Sequence, residues 1–386
     1  MKIAVIGAGP AGLYFSLLAK KHNPEHDIHV YEQNPRGATY GWGVVFSDVG
    51  LAALREADPE FFDDFVAHHE RCDYMEIIHR GTRVQIQGNH FSRTARIDML
   101  RVLEKACLEA GIVISYEHRV EDVERLALES DMVVAADGSN SATRTQYASH
   151  FKLSFEHRRN KFAWYGTRQR FHPVSLIFRE SEHGLFIAHS YQYSKDLSTF
   201  LVEVDPETWK RASLDTATEA ESCGFCTKIF SPDLGSNALL TNRSLWFEAK
   251  IVRNEHWSYR NIVLLGDALR TVHFSLGSGT RMAMQDAIAL QRGLARHPAD
   301  VRKVFAAFES ERRPASSSFQ TAAARSLDWY ENVASKMDMD PLAFAYDYMR
   351  RTGQVTHDDL ARRDPAFTAA YELAYPHEYT KQPAAY

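Results

Sequence analysis

Cysteine is scarce in this chain, with four among 386 residues. So few cannot staple a fold of this size, which predicts a reducing, cytoplasmic setting. No apolar run approaches the ~18 residues that a membrane span requires, so no membrane association is expected. The apolar start Ile3–Ile6 is too short for the core of a signal peptide. Basic excess is also lacking: the net charge is −5 and the pI is near 6.4. That excludes the electrostatic footprint of a nucleic-acid binder. There is no repeat of solenoid length, no low-complexity tract and no long linker. What remains is ordinary globular material, 45% hydrophobic and 25% charged, enough for a real core. At about 150 residues per domain the length predicts two or three domains. Without a linker they should be interleaved rather than strung in series.

Ile3–Ile6 reads as a short strand of a buried parallel sheet. A Gly-rich turn follows, then a helix over about Ala11–Lys21 and a second strand over Ile28–Glu32. The turn, Gly7-Ala8-Gly9-Pro10-Ala11-Gly12, fits the dinucleotide fingerprint. Its first Gly makes the turn, its second lets backbone approach a pyrophosphate, and its third lets helix and strand pack. The helix N-terminus then offers free N–H groups to the phosphates. Glu32, twenty residues after Gly12, ends the second strand, where a carboxylate can accept ribose hydroxyl hydrogen bonds. Gln33 beside it is a further candidate. The fingerprint alone suits NAD or FAD.

Two later segments bear on that choice. Asp137-Gly138-Ser-Asn-Ser141-Ala-Thr-Arg144 follows the buried strand Asp131–Ala136. Gly266-Asp267-Ala268 follows the strand Ile262–Leu265, with Gly277, Gly279, Thr280 and a helix just beyond. In this order the motifs resemble the class A flavoprotein monooxygenases of the p-hydroxybenzoate hydroxylase type. The resemblance implies an α/β fold: a Rossmann-like FAD-binding domain, an interleaved antiparallel-sheet substrate domain and a helical C-terminal tail. It implies FAD as cofactor, NADH or NADPH as co-substrate, molecular oxygen, and a small aromatic substrate. It places Asp137 and Gly138 near the flavin pyrophosphate and Asp267 on the ribityl chain. Arg96 resembles the Arg of the family's Arg-x-x-Leu helix start near the flavin, with Met99 in the Leu place. A helix starting near Gly277–Thr280 would also point free N–H groups at the pyrimidine edge of the flavin, which carries negative charge when reduced.

Most of that superfamily continues the second motif as Gly-Asp-Ala-Ala-His. This chain departs from it with Leu269-Arg270-Thr-Val-His273-Phe-Ser-Leu-Gly277. The variant resembles a smaller branch, the aryl-CoA hydroxylases of the salicylyl-CoA 5-hydroxylase type and an indole hydroxylase of the violacein pathway. Gly41-Trp-Gly-Val-Val-Phe46, Asn160-Lys-Phe-Ala-Trp164-Tyr165-Gly-Thr167 and Phe186-Ile-Ala-His189 resemble that branch too. The tail segment Met349–Pro365 looks like the aryl-CoA members in particular. The implied activity is hydroxylation of the ring of an aryl-CoA thioester. A hydroxylase of a free aromatic or indole compound, and a flavin dehydrogenase or reductase without oxygen insertion, remain alternatives. His273, in the loop after Asp267, and His189 are the candidate catalytic residues.

From Lys161 to Val204 alternating, aromatic-rich segments predict an antiparallel sheet. Trp164, Tyr165, His189 and Tyr191 are its candidate substrate residues, with His189 and Tyr191 on one face by alternation. Arg158, Arg159, Lys161, Arg168 and Arg170 form a basic cluster that suits the phosphates of coenzyme A, and a solvated charged face at least as well. Cys223 and Cys226 fall in a helical pattern over Ala217–Ile229 without a second ligand pair, so no metal is expected. The expected division is 1–70, 93–155 and 250–325 for the FAD domain and 71–92 and 156–249 for the substrate domain. A helical extension over 326–386 completes it. A homodimer is compatible with this reading.

Overall fold

The computed structural model describes residues 1–39, 41–272 and 276–376. The chain forms two compact units. The first comprises Met1–His69, Arg93–Arg158 and Glu248–Gln320. The second comprises Glu70–Ser92, Arg159–Phe247 and Thr321–Tyr386.

The first unit is built on a sheet in the spatial order Ser258–Tyr259, Ile262–Leu264, Met132–Ala135, Lys2–Ile6, Asp27–Tyr31, Val113–Ser115. All neighbours are parallel except the outer hairpin formed by the first two strands. The strands Met132–Ala135 and Ile262–Leu264 are buried throughout. That explains their unbroken apolar runs, since helices cover both faces of a parallel sheet. The helix Pro10–His22 starts on Pro10, whose fixed φ suits a first helical turn. It buries every residue from Pro10 to Ala19 and ends on Lys20, Lys21 and His22, which complement the C-terminal dipole. The helix Gly279–Arg296 packs against it.

Register decides where the site lies. Ile6 pairs with Tyr31 on one side and Ala135 on the other, and Ala135 pairs with Leu264. Tyr31, Ile6, Ala135 and Leu264 therefore form one row at the carboxyl ends of four adjacent strands. Just beyond that row come Glu32, Gly7, Asp137 and Gly266. The strand order reverses between Lys2–Ile6 and Met132–Ala135, and in open α/β sheets a crevice for ligands opens at such a point.

The second unit contains a sheet in the order Leu239–Leu240, Leu153–Thr167, Ser198–Val204, Gly184–Gln192, Val174–Ser181, Glu70–His79, Thr82–Ala95. The expected antiparallel pairing holds from Leu239 through Ser181. One pair departs from it: Glu70–His79 runs parallel to Val174–Ser181, with Ile77 opposite Leu176. A distant segment supplies that strand, so no hairpin forces it to be antiparallel.

The sheet has two covered faces. Phe186, Ala188, Tyr165, Phe200 and Val202 pack with Cys226, Phe230 and Leu234. On the other face Ile187, Leu176 and Phe178 pack with Trp329, Tyr330, Phe344, Tyr348, Phe367 and Tyr371. The helices Pro341–Arg350 and Pro365–Ala374 thus share a core with the sheet, instead of standing as the added extension that a charged tail suggested. Their charges lie outside an aromatic stripe that faces the strands.

Candidate functional site

The glycines of the first turn divide into two kinds. Gly7 has φ +103°, and a Cβ there would lie 2.4 Å from the Ala136 carbonyl oxygen. A Cβ on Gly12 would lie 2.1 Å from the Gly7 carbonyl oxygen and 3.1 Å from Val5 Cγ1. These two are required by packing. A Cβ on Gly9, by contrast, would meet nothing within 4 Å. The fold itself does not need that glycine, whereas a ligand approaching the backbone would. Pro10 and Ala11, both buried, open the helix behind it.

Glu32 faces the same turn. Its Oε2 accepts from the Ala8 N–H at 2.9 Å, and its Oε1 from the backbone and side-chain nitrogens of Asn34 at 2.8 and 2.7 Å. The carboxylate is fixed in place with lone pairs to spare for hydroxyl donors. Gln33 is exposed beside it.

Asp137 builds its own turn. Its Oδ1 accepts from the Ser141 hydroxyl at 2.6 Å and its Oδ2 from the Thr143 N–H at 3.1 Å. Gly138 next to it has φ +79° and open space where a Cβ would point. Ser141 caps the following turn through the Arg144 N–H. Arg144 is fully buried. Its guanidinium donates to the carbonyl of Ser139 at 2.7 Å and to those of Asp267 and Ala268 at 3.4 and 3.1 Å. One side chain therefore ties the two later motifs together. Burial holds its pKa below the ordinary arginine value.

Asp267 is exposed, yet the exposure is to a recess rather than to the open surface. Gly266, Asp267, Arg270, Val272, Gly279, Met282, Ala283 and Asp286 line it. The protein around Asp267 desolvates its carboxyl enough to raise the pKa, against the pull of Arg96, Arg270 and Arg144. Its carboxylate oxygens have no hydrogen-bond partner among the described residues. A carboxylate that opens onto the recess with lone pairs uncommitted to the protein fits a ligand rich in hydroxyl groups, as a ribityl chain is. Arg96 starts the helix Arg96–Glu109, its N–H bonded to the Trp42 carbonyl at 2.9 Å. Burial lowers its pKa and Asp267 opposes that shift. Met99 is buried one turn on. Gly277 has φ +57°, and Gly279 and Thr280 open the helix Gly279–Arg296, whose N-terminal N–H groups have no side-chain cap. His273 lies outside the described residues.

In the wall of the recess stands a group that sequence reasoning missed. Arg270 donates to both oxygens of Asp286 at 2.8 and 2.9 Å, and Arg312 Nε donates to Asp286 Oδ1 at 2.9 Å. Asp286 is fully buried. The available signal was an acid on an apolar helical stripe, with Met282, Ala283 and Ala287 around it.

In the second unit His189 and Tyr191 do share a face, as alternation requires. Leu201 pairs with both His189 and Trp164, so Trp164 belongs to that face as well. Tyr165 does not. It points to the opposite side, fully buried with Cys226, and burial raises its hydroxyl pKa far above the ordinary value. His189 Nε2 lies 2.9 Å from Glu203 Oε2, and Asn160 Nδ2 donates to Glu203 Oε1 at 2.7 Å. The His189 ring sits 5.1 Å from that of Tyr330. Trp164 Nε1 donates to the Thr199 hydroxyl at 2.5 Å.

Three of the basic residues have separate local partners. Arg158 pairs with Glu156 at 2.7 Å, Lys161 lies 5.5 Å over the Trp209 ring, and Arg170 approaches Asp196 at 3.6 Å. Arg159 is exposed, its backbone N–H bonded to Glu331. Cys223 and Cys226 sit on the helix Glu219–Ile229, and burial raises both thiol pKa values, which disfavours the reactive thiolate.

A doubly wound sheet with a glycine cradle, a fixed carboxylate and a desolvated aspartate at one row of strand ends defines a nucleotide-cofactor protein. Comparison with known proteins narrows this. Residues 112–323 match the family model described as FAD binding domain. The chain is 35% identical to salicyloyl-CoA 5-hydroxylase of a Streptomyces species, over 95% of this chain and 72% of that protein. It is 33% identical to 3-hydroxy-4-methyl-anthranilyl-[aryl-carrier protein] 5-monooxygenase of Streptosporangium sibiricum, over 94% of this chain and 97% of that protein. It is also 33% identical to protodeoxyviolaceinate monooxygenase of Chromobacterium violaceum, over 91% and 94% of the two chains. In fold it is similar to p-nitrophenol 4-monooxygenase from Pseudomonas putida, with a TM-score of 0.73 at 16% identity over 97% of each chain. The chain belongs to the class A FAD-dependent aromatic monooxygenases. It is an FAD enzyme that hydroxylates a small aromatic substrate with NAD(P)H as co-substrate and molecular oxygen. No described helix is long and apolar enough to cross a membrane.

Proposed function

We propose that the substrate is an aromatic acid carried as a thioester, an aryl-CoA, as in the salicylyl-CoA hydroxylases. The observation that carries this reading is a pair of relatives. One is named for salicyloyl-CoA and the other for an anthranilyl group on an aryl-carrier protein, and both are named for position 5 of the ring. Their common feature is an aromatic acyl group on a carrier. The protodeoxyviolaceinate relative supports the alternative of a free aromatic substrate at similar identity.

Bound FAD supplies hydride acceptance from NAD(P)H and the activation of oxygen. The chain's own residues do the rest in this reading. Glu32, held by Ala8 and Asn34, accepts from the adenosine ribose. Gly9 and Gly138 leave backbone open to the pyrophosphate. Asp267 accepts from the ribityl chain, and Arg96 balances its charge. The first turn of the helix Gly279–Arg296 meets the pyrimidine edge. In the second unit, His189, fixed by Glu203, and Trp164, fixed by Thr199, are the candidates for contact with the aromatic substrate. His273 is the candidate for a proton at the ring hydroxyl.

The test is stimulation of NAD(P)H oxidation by salicylyl-CoA against free salicylate, with product analysed under labelled oxygen. Binding energy from the remote carrier should appear as a much higher kcat/KM for the thioester. Equal turnover of the free acid, or turnover of an indole alone, would transfer the reading to the alternative. Oxidation without label in the product would reject a hydroxylase altogether.

A further inference from the structure

The triad Arg270–Asp286–Arg312 holds two guanidiniums on one carboxylate. Arginine keeps its charge in proteins, so the group carries a net positive charge inside the first unit. Such a group is not explained by stability, because buried ion pairs recover their desolvation cost poorly against apolar residues of like volume. This one is well built even so. Asp286 is wholly buried, while Arg270 is only 6% and Arg312 only 9% exposed. Arg270 Nε is buried without a hydrogen-bond partner. Its guanidinium lies 5.3 Å from the Trp257 ring, which is shared with Arg313 at 5.0 Å.

The position of the charge suggests its use. Arg270 and Asp286 line the same recess as Asp267 and Gly279. Neighbouring groups register the charges: Arg270 opposes the burial-driven rise in the Asp267 pKa more than Asp286 reinforces it, and Arg312 helps burial to depress that of Arg281. The triad therefore sets a fixed positive charge beside the recess, against the carboxylate of Asp267, in a poorly screened setting where Coulomb interactions are strong. The charge state of FAD changes during the reaction, because the reduced form is negative at its pyrimidine edge.

We infer that the Arg270–Asp286–Arg312 triad is a positioning and charge-setting device that favours the reduced over the oxidised cofactor. This rests on the reading that FAD binds at Gly266–Asp267. Arg270 and Arg312 act through the net charge they leave beside the recess.

The experiment is a photometric determination of the two-electron midpoint potential of the FAD-loaded enzyme, in the absence of aromatic substrate. Arg270→Gln removes the excess charge, and its potential should fall by ~30 mV, which is tenfold in the reduction constant. Arg270→Lys keeps the charge and should stay close to the parent. The double variant Arg270→Gln, Asp286→Asn removes one charge of each sign and restores the net positive charge, so its potential should return toward the parent value. FAD titration and melting temperature accompany each variant, and only variants with full FAD occupancy are compared. A fully loaded Arg270→Gln enzyme with unchanged potential overturns the inference. So does a double variant that falls as far as the single one, because geometry rather than net charge would then be responsible. If Asp267→Ala keeps full FAD affinity, the reading of the site fails instead, and the two failures are distinct.

Discussion

His189 is fixed by Glu203: its Nε2 lies 2.9 Å from a carboxylate that is itself wholly buried in the strand Ser198–Val204. Asn160 occupies the second oxygen of that carboxylate. The three residues come from three adjacent strands, so the sheet sets the imidazole's orientation before any substrate arrives.

Removing the centre of this group should be costly. Glu203→Ala leaves His189 and Asn160 without their buried partner, and a loss of about 3 kcal/mol is expected. Glu203→Gln keeps the volume and should lose less. Urea denaturation monitored by circular dichroism gives both values, and equal stability of Glu203→Ala and parent would deny the network a structural role.

Arg144 should behave as a fastener between the Asp137 turn and the Asp267 turn. Arg144→Met removes the donor from one buried carbonyl, that of Ala268, and from the part-buried carbonyls of Ser139 and Asp267, a loss of about 2 kcal/mol. FAD affinity should fall with it, although Arg144 is committed to carbonyls rather than to the cofactor. A stable variant with parental FAD affinity contradicts this.

Asp267 sets function against stability. Burial raises its pKa in the folded protein, so the native state binds a proton more readily than the unfolded chain. Stability therefore falls as pH climbs from the ordinary aspartate value of about 3.9 through the raised one, and the penalty is complete above it. Cofactor-free Asp267→Asn should be more stable than the parent at neutral pH. That advantage should vanish in acid, below the unfolded value. The same variant should bind FAD more weakly. Denaturation of the stripped proteins at both pH values checks the sign, and an advantage that grows in acid would reverse it.

Much of the first unit was legible because its signals are local. Gly7, Gly9, Gly12 and Glu32 fall within one strand–turn–helix–strand segment, where spacing alone sets geometry. The Arg144 link and the Arg270–Asp286–Arg312 triad were not legible, since each joins residues that only the folded sheet brings together. Glu203 offered a signal of another kind, an acid in the otherwise apolar run Leu201-Val202-Glu203-Val204. Tyr165 departs from the expectation because strand alternation sends Trp164 and Tyr165 to opposite faces. In the tail, charged residues masked the stripe of Trp329, Phe344 and Tyr348 that packs on the strands.

The row Tyr31, Ile6, Ala135 and Leu264 has a consequence for how the cradle comes into being. Its walls arrive from the beginning, the middle and the last third of the chain. No early folding segment holds more than one edge of it, and long loops must close before the second and third edges meet the first. A nucleotide that touches all of these edges binds only the finished sheet. It thus acts as a latch, drawing the equilibrium toward the assembled unit in proportion to its concentration over its dissociation constant. Amide hydrogen exchange in the central strands should slow together on loading, as a single block spanning residues far apart in the chain.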